Sequence, residues 1–304
     1  MIDLSVQLGN LRLKNPIIAA SGTFAYGEEL NEFFPVEILG AVSTKGLSLK
    51  PRHGNPMPRI VETPSGMINA IGLQNVGIEA FIRDKLPFLE KRGVVTIANI
   101  FGNTLEEYVE IARQLDATSV PAVELNISCP NVKAGGMEFG NDPVLAAKVT
   151  AAVRKAFRRH LMVKLSPNVT SIPAIAREVE AAGADSLSLI NTITAMVINT
   201  KTRRPMLANG VGGLSGPAVR PIAVRMVAEA AASVKIPLVG IGGIVSAHDA
   251  LEFIIAGASA VQIGTATFME PNACERILGD LEKYFEENAP LTLGELVSSL
   301  VREK

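Results

Sequence analysis

The chain of 304 residues has no tryptophan, three tyrosines, three histidines and two cysteines. Cys129 and Cys274 form no C-x-x-C pair, so the sequence can build neither a disulfide framework nor a self-contained zinc or iron–sulfur site, and any such centre must belong to a partner. His53, His160 and His248 are far apart without H-x-x-x-H spacing; they are expected in a loop or on helices, with no metal role. Charge of one sign is also missing. The formal net charge is −1 and no block of five or more Lys/Arg occurs, which excludes the broad cationic footprint of a nucleic-acid or acidic-membrane binder. No apolar run is long enough to span a bilayer: the uncharged stretch 186–200 is interrupted by Ser, Asn and Thr. Met1 to Gln7 carries Asp3 and lacks both a basic n-region and an apolar h-region. The expectation is a cytoplasmic protein acting on a small molecule.

What is present is apolar residue, 48%, against 19% charged, enough for a large core. α/β barrels commonly reach this length as one unit, so a single domain over 1–304 is expected. Eight short β-branched or apolar runs recur at 16–21, 41–45, 94–101, 122–128, 161–166, 186–191, 237–242 and 260–265. Most are continuously apolar rather than alternating, as in a parallel sheet buried on both faces. Between most of them lie amphipathic stretches with start and stop signals, such as Asn103-Thr104-Leu105-Glu106-Glu107 and Ala181-Ala182-Gly183-Ala184. The pattern predicts a (β/α)8 TIM barrel. Residues 4–13 alternate in period two around Gly9-Asn10 and predict a hairpin at the N-terminal end of that barrel. Two connections, 46–77 and 193–216, exceed ordinary βα loops and are expected over the C-terminal mouth. Within the first, 59–63 and 67–71 suggest a second small hairpin, and 130–137 with its two glycines suggests a lid.

In such a barrel, catalytic side chains sit at the C-terminal ends of strands, and phosphate docks on the loops after the seventh and eighth. Gly240-Ile241-Gly242-Gly243-Ile244 and Ile263-Gly264-Thr265-Ala266 put exposed backbone N–H groups at both places. A resident dinucleotide is disfavoured, because no G-x-G-x-x-G occurs: Gly210-Val211-Gly212-Gly213-Leu214-Ser215 has Ser where the third glycine belongs. Lys45 and Lys164 end apolar strands, where an ammonium is costly unless paired or serving an anion. Glu124-Leu125-Asn126-Ile127-Ser128-Cys129-Pro130-Asn131 puts a thiol and two carboxamides at the mouth of the fourth strand, which reads as a nucleophile or base with recognition groups beside it. Cys274, after Pro271-Asn272-Ala273, reads as packing.

Asn126-Ile127-Ser128-Cys129-Pro130-Asn131 resembles the catalytic signature of the dihydroorotate dehydrogenases that use a cysteine base. Ser43-Thr44-Lys45-Gly46, Asn69-Ala70-Ile71-Gly72-Leu73, Val163-Lys164-Leu165-Ser166-Pro167-Asn168, Asn191-Thr192 and Ile241-Gly242-Gly243-Ile244 are similar to that family's other motifs, in the same order along essentially the whole chain. The related membrane-bound class carries Ser at the position of Cys129 and an extra N-terminal segment, so the soluble class is implied. The resemblance implies FMN contacts from Ser21, Lys45, Gly46, Asn99, Asn126, Lys164, Ile190, Gly216, Gly242, Gly243, Gly264 and Thr265. It implies substrate contacts from Lys45, Asn69, Ala70, Ile71, Gly72, Leu73, Asn126, Asn191 and Thr192, and Cys129 as the catalytic base. The stretch from Pro130 through Gly135-Gly136-Met137 to Phe139-Gly140 looks like the NAD-linked subclass, whose catalytic subunit, as a homodimer core within a heterotetramer, joins a second subunit carrying FAD and an iron–sulfur cluster. The implied activity is oxidation of dihydroorotate to orotate in UMP biosynthesis. Alternatives are a fumarate-linked homodimer, an FMN enzyme for another dihydropyrimidine such as dihydrouracil, and a flavin-free phosphosugar isomerase or lyase using Lys164.

Overall fold

The computed structural model describes residues 2–128 and 139–301. Cys129 and the expected lid at 130–137 lie outside the described residues.

The chain opens with an antiparallel hairpin, β1 (Val6–Leu8) and β2 (Leu11–Leu13), turning at Gly9-Asn10. Leu8 and Leu13 are fully buried, and Gly9 sits against Asp185 and His160, residues that precede or start barrel strands. The hairpin therefore closes the N-terminal end of the barrel. The barrel strands are β3 (Ile17–Ala19), β4 (Ala41–Ser43), β7 (Thr96–Ile100), β8 (Ala122–Asn126), β9 (His160–Lys164), β10 (Ser186–Leu189), β15 (Leu238–Ile241) and β16 (Ala258–Ile263). They form a closed parallel ring in chain order, with β16 pairing back to β3. This is a (β/α)8 barrel, and each strand overlaps one of the eight apolar runs read from the sequence.

Local chemistry fixes the crossovers. Thr104, Asp142, Ser171 and Ser246 each cap the helix that follows, accepting from the backbone N–H three residues on. Such caps contribute about 1 kcal/mol each. The first crossover, between β3 and β4, departs from the pattern and is made of two 3-10 turns, Leu30–Glu32 and Val36–Ile38, the second beginning after Pro35.

The two long connections meet over the mouth. From the first come β5 (Ile60–Thr63) and β6 (Gly66–Asn69), the expected second hairpin. The second supplies β11 (Ile193–Ala195), a small hairpin of β12 (Ile198–Asn199) with β13 (Arg204–Pro205), and β14 (Gly212–Ser215). They join as one antiparallel sheet in the order β11-β14-β6-β5, with its own small core of Ile68, Ala70 and Leu207. These second-loop strands were not foreseen. The run 210–215, weighed above as a failed dinucleotide motif, is largely a strand, and Gly213 is needed there because a Cβ would fall 1.9 Å from Thr192 Oγ1.

His160 corrects the sequence reading. It is neither in a loop nor on a helix but starts β9, and it is buried, with Nδ1 2.8 Å from Asn10 Oδ1 and Nε2 2.7 Å from Ser186 Oγ. Its polar neighbours Arg158 and Arg159 hide the start of the strand in the sequence. The covering hairpin buries it.

Candidate active site

At the C-terminal end of the barrel the strands surround a cleft of about 1310 Å3, part of it open to solvent, beneath the four-stranded sheet. Its floor is made by strand residues that face inward by register. Asn99 pairs with Glu124, and Asn126 pairs with Lys164 one rung nearer the mouth. In a parallel sheet, paired residues share a face and positions two apart repeat it, so all four project into the barrel. Lys164, Asn99 and Asn126 line the cleft although the chain buries almost all of their surface.

Beneath them lies Glu124, fully buried. Ser43 Oγ (2.8 Å) and Asn99 Nδ2 (2.5 Å) donate to its Oε2, while Ser188 Oγ (2.7 Å) and Gln262 Nε2 (2.7 Å) donate to its Oε1. Burial works to raise its pKa; the Lys164 charge and the hydrogen bonds from Ser188, Asn99 and Ser43 outweigh burial and hold the carboxyl below its ordinary value. The group is therefore a carboxylate at neutral pH. Because Asn99 spends its Nδ2 on Glu124, its Oδ1 is buried with no hydrogen-bond partner among the described residues. It is an acceptor waiting for a ligand donor.

One wall of the cleft is glycine-rich. Gly216 and Gly243 have φ of +93° and +73°, and a Cβ on Gly243 would lie 2.6 Å from the Gly216 carbonyl oxygen. Only glycine lets these two loops approach so closely. Gly242, Gly264 and Thr265 complete this wall, and Thr265 Oγ1 donates to Ser215 Oγ at 2.8 Å, tying it to the overlying sheet. Behind it Arg220 pairs with buried Asp249, which accepts from Val245 N–H at 2.9 Å and so braces the loop after β15.

The ends of β8 and β10 carry carboxamides. Asn191 Nδ2 donates to Ser128 Oγ (2.8 Å), Ser128 Oγ donates to Asn126 Oδ1 (2.8 Å), and Asn191 Oδ1 accepts from Thr192 N–H (2.8 Å). Asn69 Nδ2 reaches Gly213 O at 3.4 Å across the sheet. Lys45, on the segment after β4, donates from Nζ to Gly22 O at 3.3 Å.

Of the residues singled out in the sequence, Ser21, Lys45, Gly46, Asn69, Ile71, Gly72, Leu73, Asn99, Asn126, Lys164, Ile190, Asn191, Thr192, Gly216, Gly242, Gly243, Gly264 and Thr265 all line this one cleft. Ala70 does not; its side chain packs with Ile68 and Leu207 inside the overlying sheet. Cys129 is outside the described residues, and Ser128, the residue before it, lies within the carboxamide cluster. Sequence reasoning missed Thr23, Leu214, Ser215 and Phe268 in the lining, and Glu124 below it. Thr23 Oγ1 is buried without a partner among the described residues. The signal for Glu124 was an acid inside an apolar strand, two residues before Asn126 and so on the same face.

The family model for dihydroorotate dehydrogenase matches residues 3–285. Among similar proteins, the one from Trichlorobacter lovleyi is 57% identical over 298 residues, 98% of each chain. Those from Pelobacter propionicus and Geobacter sulfurreducens are each 56% identical over 299 residues, again 98% of each chain. All three are named dihydroorotate dehydrogenase B (NAD(+)), catalytic subunit. With the match spanning nearly the whole barrel and its mouth, the chain belongs to the dihydroorotate dehydrogenase family.

Proposed function

We propose that the chain is the catalytic subunit of a cytoplasmic, NAD-linked dihydroorotate dehydrogenase, a single FMN-binding barrel domain that oxidises (S)-dihydroorotate to orotate in de novo pyrimidine synthesis. The observation that carries this reading is the buried Lys164 and Asn99 floor in one cleft with a glycine-rich wall and a carboxamide cluster. The residues present suit FMN. Gly216, Gly242, Gly243, Gly264 and Thr265 would hold the phosphate through main-chain N–H groups. Asn99 Oδ1, buried without a partner among the described residues, would accept a hydrogen bond from the flavin, the Lys164 ammonium would offset negative charge on it, and Gly46 lets the backbone pass close to Asn99. When bound, FMN supplies the hydride acceptor that no amino-acid side chain provides.

The chain's own residues hold the substrate and move its proton. Asn69, Asn126 and Asn191 present carboxamide donors and acceptors to the ring amides of a dihydropyrimidine, and Lys45 offers its ammonium to the carboxylate. The backbone of Ile71, Gly72 and Leu73 and the Thr192 hydroxyl complete that side. Cys129, which follows Ser128, removes the proton from C5 of the substrate. Ile71, Leu73 and Leu214 exclude water from the reacting face. The similar proteins are named as catalytic subunits of an NAD(+)-type enzyme, which supports electrons leaving through a second subunit; by the family resemblance that subunit carries FAD and an iron–sulfur cluster and joins a homodimer core in a heterotetramer. No helix among the described residues is long and apolar enough to cross a membrane.

The test is a visible spectrum of the purified chain before and after anaerobic addition of dihydroorotate. A flavin spectrum that bleaches with formation of orotate is expected. A colourless protein that takes up no FMN, or a flavin bleached by dihydrouracil but not by dihydroorotate, would overturn the reading. Co-purification of the chain with a second redox polypeptide is the corresponding expectation for the partner.

A further inference from the structure

We propose that Glu124 is a positioning residue that sets the charge balance of Lys164 and the orientation of Asn99, and through them the electron affinity of the bound flavin. The inference rests on the flavin reading above and assigns a role to a side chain that does not line the cleft.

Three observations carry it. Glu124 is a fully buried charge whose two oxygens each receive one hydroxyl and one carboxamide donor, from β4, β7, β10 and β16. A buried carboxylate costs several kcal/mol of desolvation, and apolar packing often fills such a place with no loss of stability, so structural support alone does not call for one here. Lys164 lies one rung nearer the mouth on the adjacent strand and its ammonium forms no ion pair or hydrogen bond among the described residues, while the charge of Glu124 acts on it through the barrel interior. Asn99 is held by its Nδ2, which leaves Oδ1 as the end presented to a ligand. The floor of the cleft therefore combines an ammonium, an opposing carboxylate one layer down and a carboxamide that the carboxylate has oriented.

Removing the carboxylate charge while keeping its shape leaves the Lys164 ammonium uncompensated. An uncompensated cation favours the form of a neighbouring redox group that has gained electrons. Glu124→Gln is the least disruptive change. Its new N–H2 can face Gln262, whose Oε1 is buried without a partner among the described residues, so that a flip of Gln262 turns that oxygen toward the new donor and leaves Asn99 in place, with the Gln262 Nε2 taking over the unpartnered position.

The experiment measures the sulfite affinity and the two-electron midpoint potential of the flavin-loaded E124Q protein, neither of which reads turnover. Sulfite binding, followed by loss of visible absorbance, is expected to tighten about tenfold, and the potential to rise by about 30 mV, the equivalent of tenfold for a two-electron couple. In a Lys164→Met background the same substitution is expected to change sulfite affinity by no more than about twofold and the potential by no more than about 10 mV, as a double-mutant cycle requires if the effect runs through Lys164. Unchanged sulfite affinity and potential in flavin-loaded E124Q overturn the proposal, and so does an equal shift with and without Lys164. Wild-type protein gives a second measurement should the variant not fold. With 13C-labelled glutamate, redox-difference infrared spectra are expected to contain an ionised carboxylate band that shifts on reduction; absence of a labelled band, or a protonated-acid band in its place, overturns the proposal. A chain that takes up no flavin overturns the underlying reading as well, and this outcome is distinct from flavin bound with unchanged properties.

Discussion

Replacing His160 by Gln will flatten the acid branch of the stability profile. The imidazole starts β9 under the N-terminal hairpin, is 1% exposed, and has both ring nitrogens engaged, by Asn10 and Ser186. Burial, reinforced by the nearby Arg154 charge and opposed by Asp185, pushes its pKa down from 6.5 to about 4. In the unfolded chain the ring titrates near its ordinary value. Between those two pH values the unfolded chain binds a proton that the folded chain refuses, so stability rises with pH across that window and is lost as pH falls through it. Above about 6.5 both states are neutral and His160 contributes no pH dependence. At about 1.4 kcal/mol for each tenfold change in proton affinity, the full effect is about 3 kcal/mol. The His160→Gln variant loses hydrogen-bond geometry at every pH but has nothing to titrate in this window. Its stability deficit relative to wild type should therefore narrow by about 2–3 kcal/mol between about pH 7 and pH 4.5, measured by urea unfolding followed by far-UV circular dichroism. Carboxylates titrate in both proteins and cancel in the difference. A deficit that stays constant or widens toward acid would refute the assignment of a neutral buried imidazole.

Other perturbations test the mouth of the barrel. Cys129→Ser is expected to retain FMN while slowing anaerobic bleaching by dihydroorotate about 10²–10⁴-fold in stopped-flow measurements; an unchanged rate removes Cys129 from the chemistry. Gly243→Ala puts a Cβ 2.6 Å from the Gly216 carbonyl at a φ of +73°, so FMN affinity measured by titration of the apoprotein should fall about tenfold, the equivalent of 1–2 kcal/mol of left-handed strain. Wild-type affinity would show that these loops do not grip the phosphate. Gly213→Ala drives a Cβ into the Thr192 side chain and should raise KM for dihydroorotate by about tenfold or more with flavin content unchanged. An unaltered KM would take Thr192 out of substrate binding.

The eight barrel strands were legible because each is a short apolar run bounded by polar or glycine residues, and burial on both faces imposes that pattern whatever the partner strand. Helix starts were legible for a local reason, since Thr104 and its target Glu107 are neighbours in sequence. The strand β14 was not, because Gly212-Gly213-Leu214-Ser215 has the composition of a turn, and only the contact of Gly213 with Thr192 shows why glycine stands in a strand. The network around Glu124 was equally hidden. Its donors lie 81, 25, 64 and 138 residues away, and only barrel closure brings them to one carboxylate. Much of the cleft was reached through family motifs rather than residue chemistry, and Ala70 shows the limit of that route. It lies within a motif whose neighbours Asn69 and Ile71 line the cleft, yet strand alternation turns its own side chain into the overlying sheet.

That sheet joins strands from two distant stretches of chain at one seam, with β14 of the second pairing with β6 of the first. Neither stretch can be exchanged by itself. A chimera that imports residues 60–73 from a relative with different substrate preference would have to import 193–215 as well, or break the ladder at Gly213 and Asn69 and misplace recognition groups it never altered. Retargeting this enzyme is a matter of transplanting a canopy of paired segments, and substitution libraries confined to either one sample half of a coupled design.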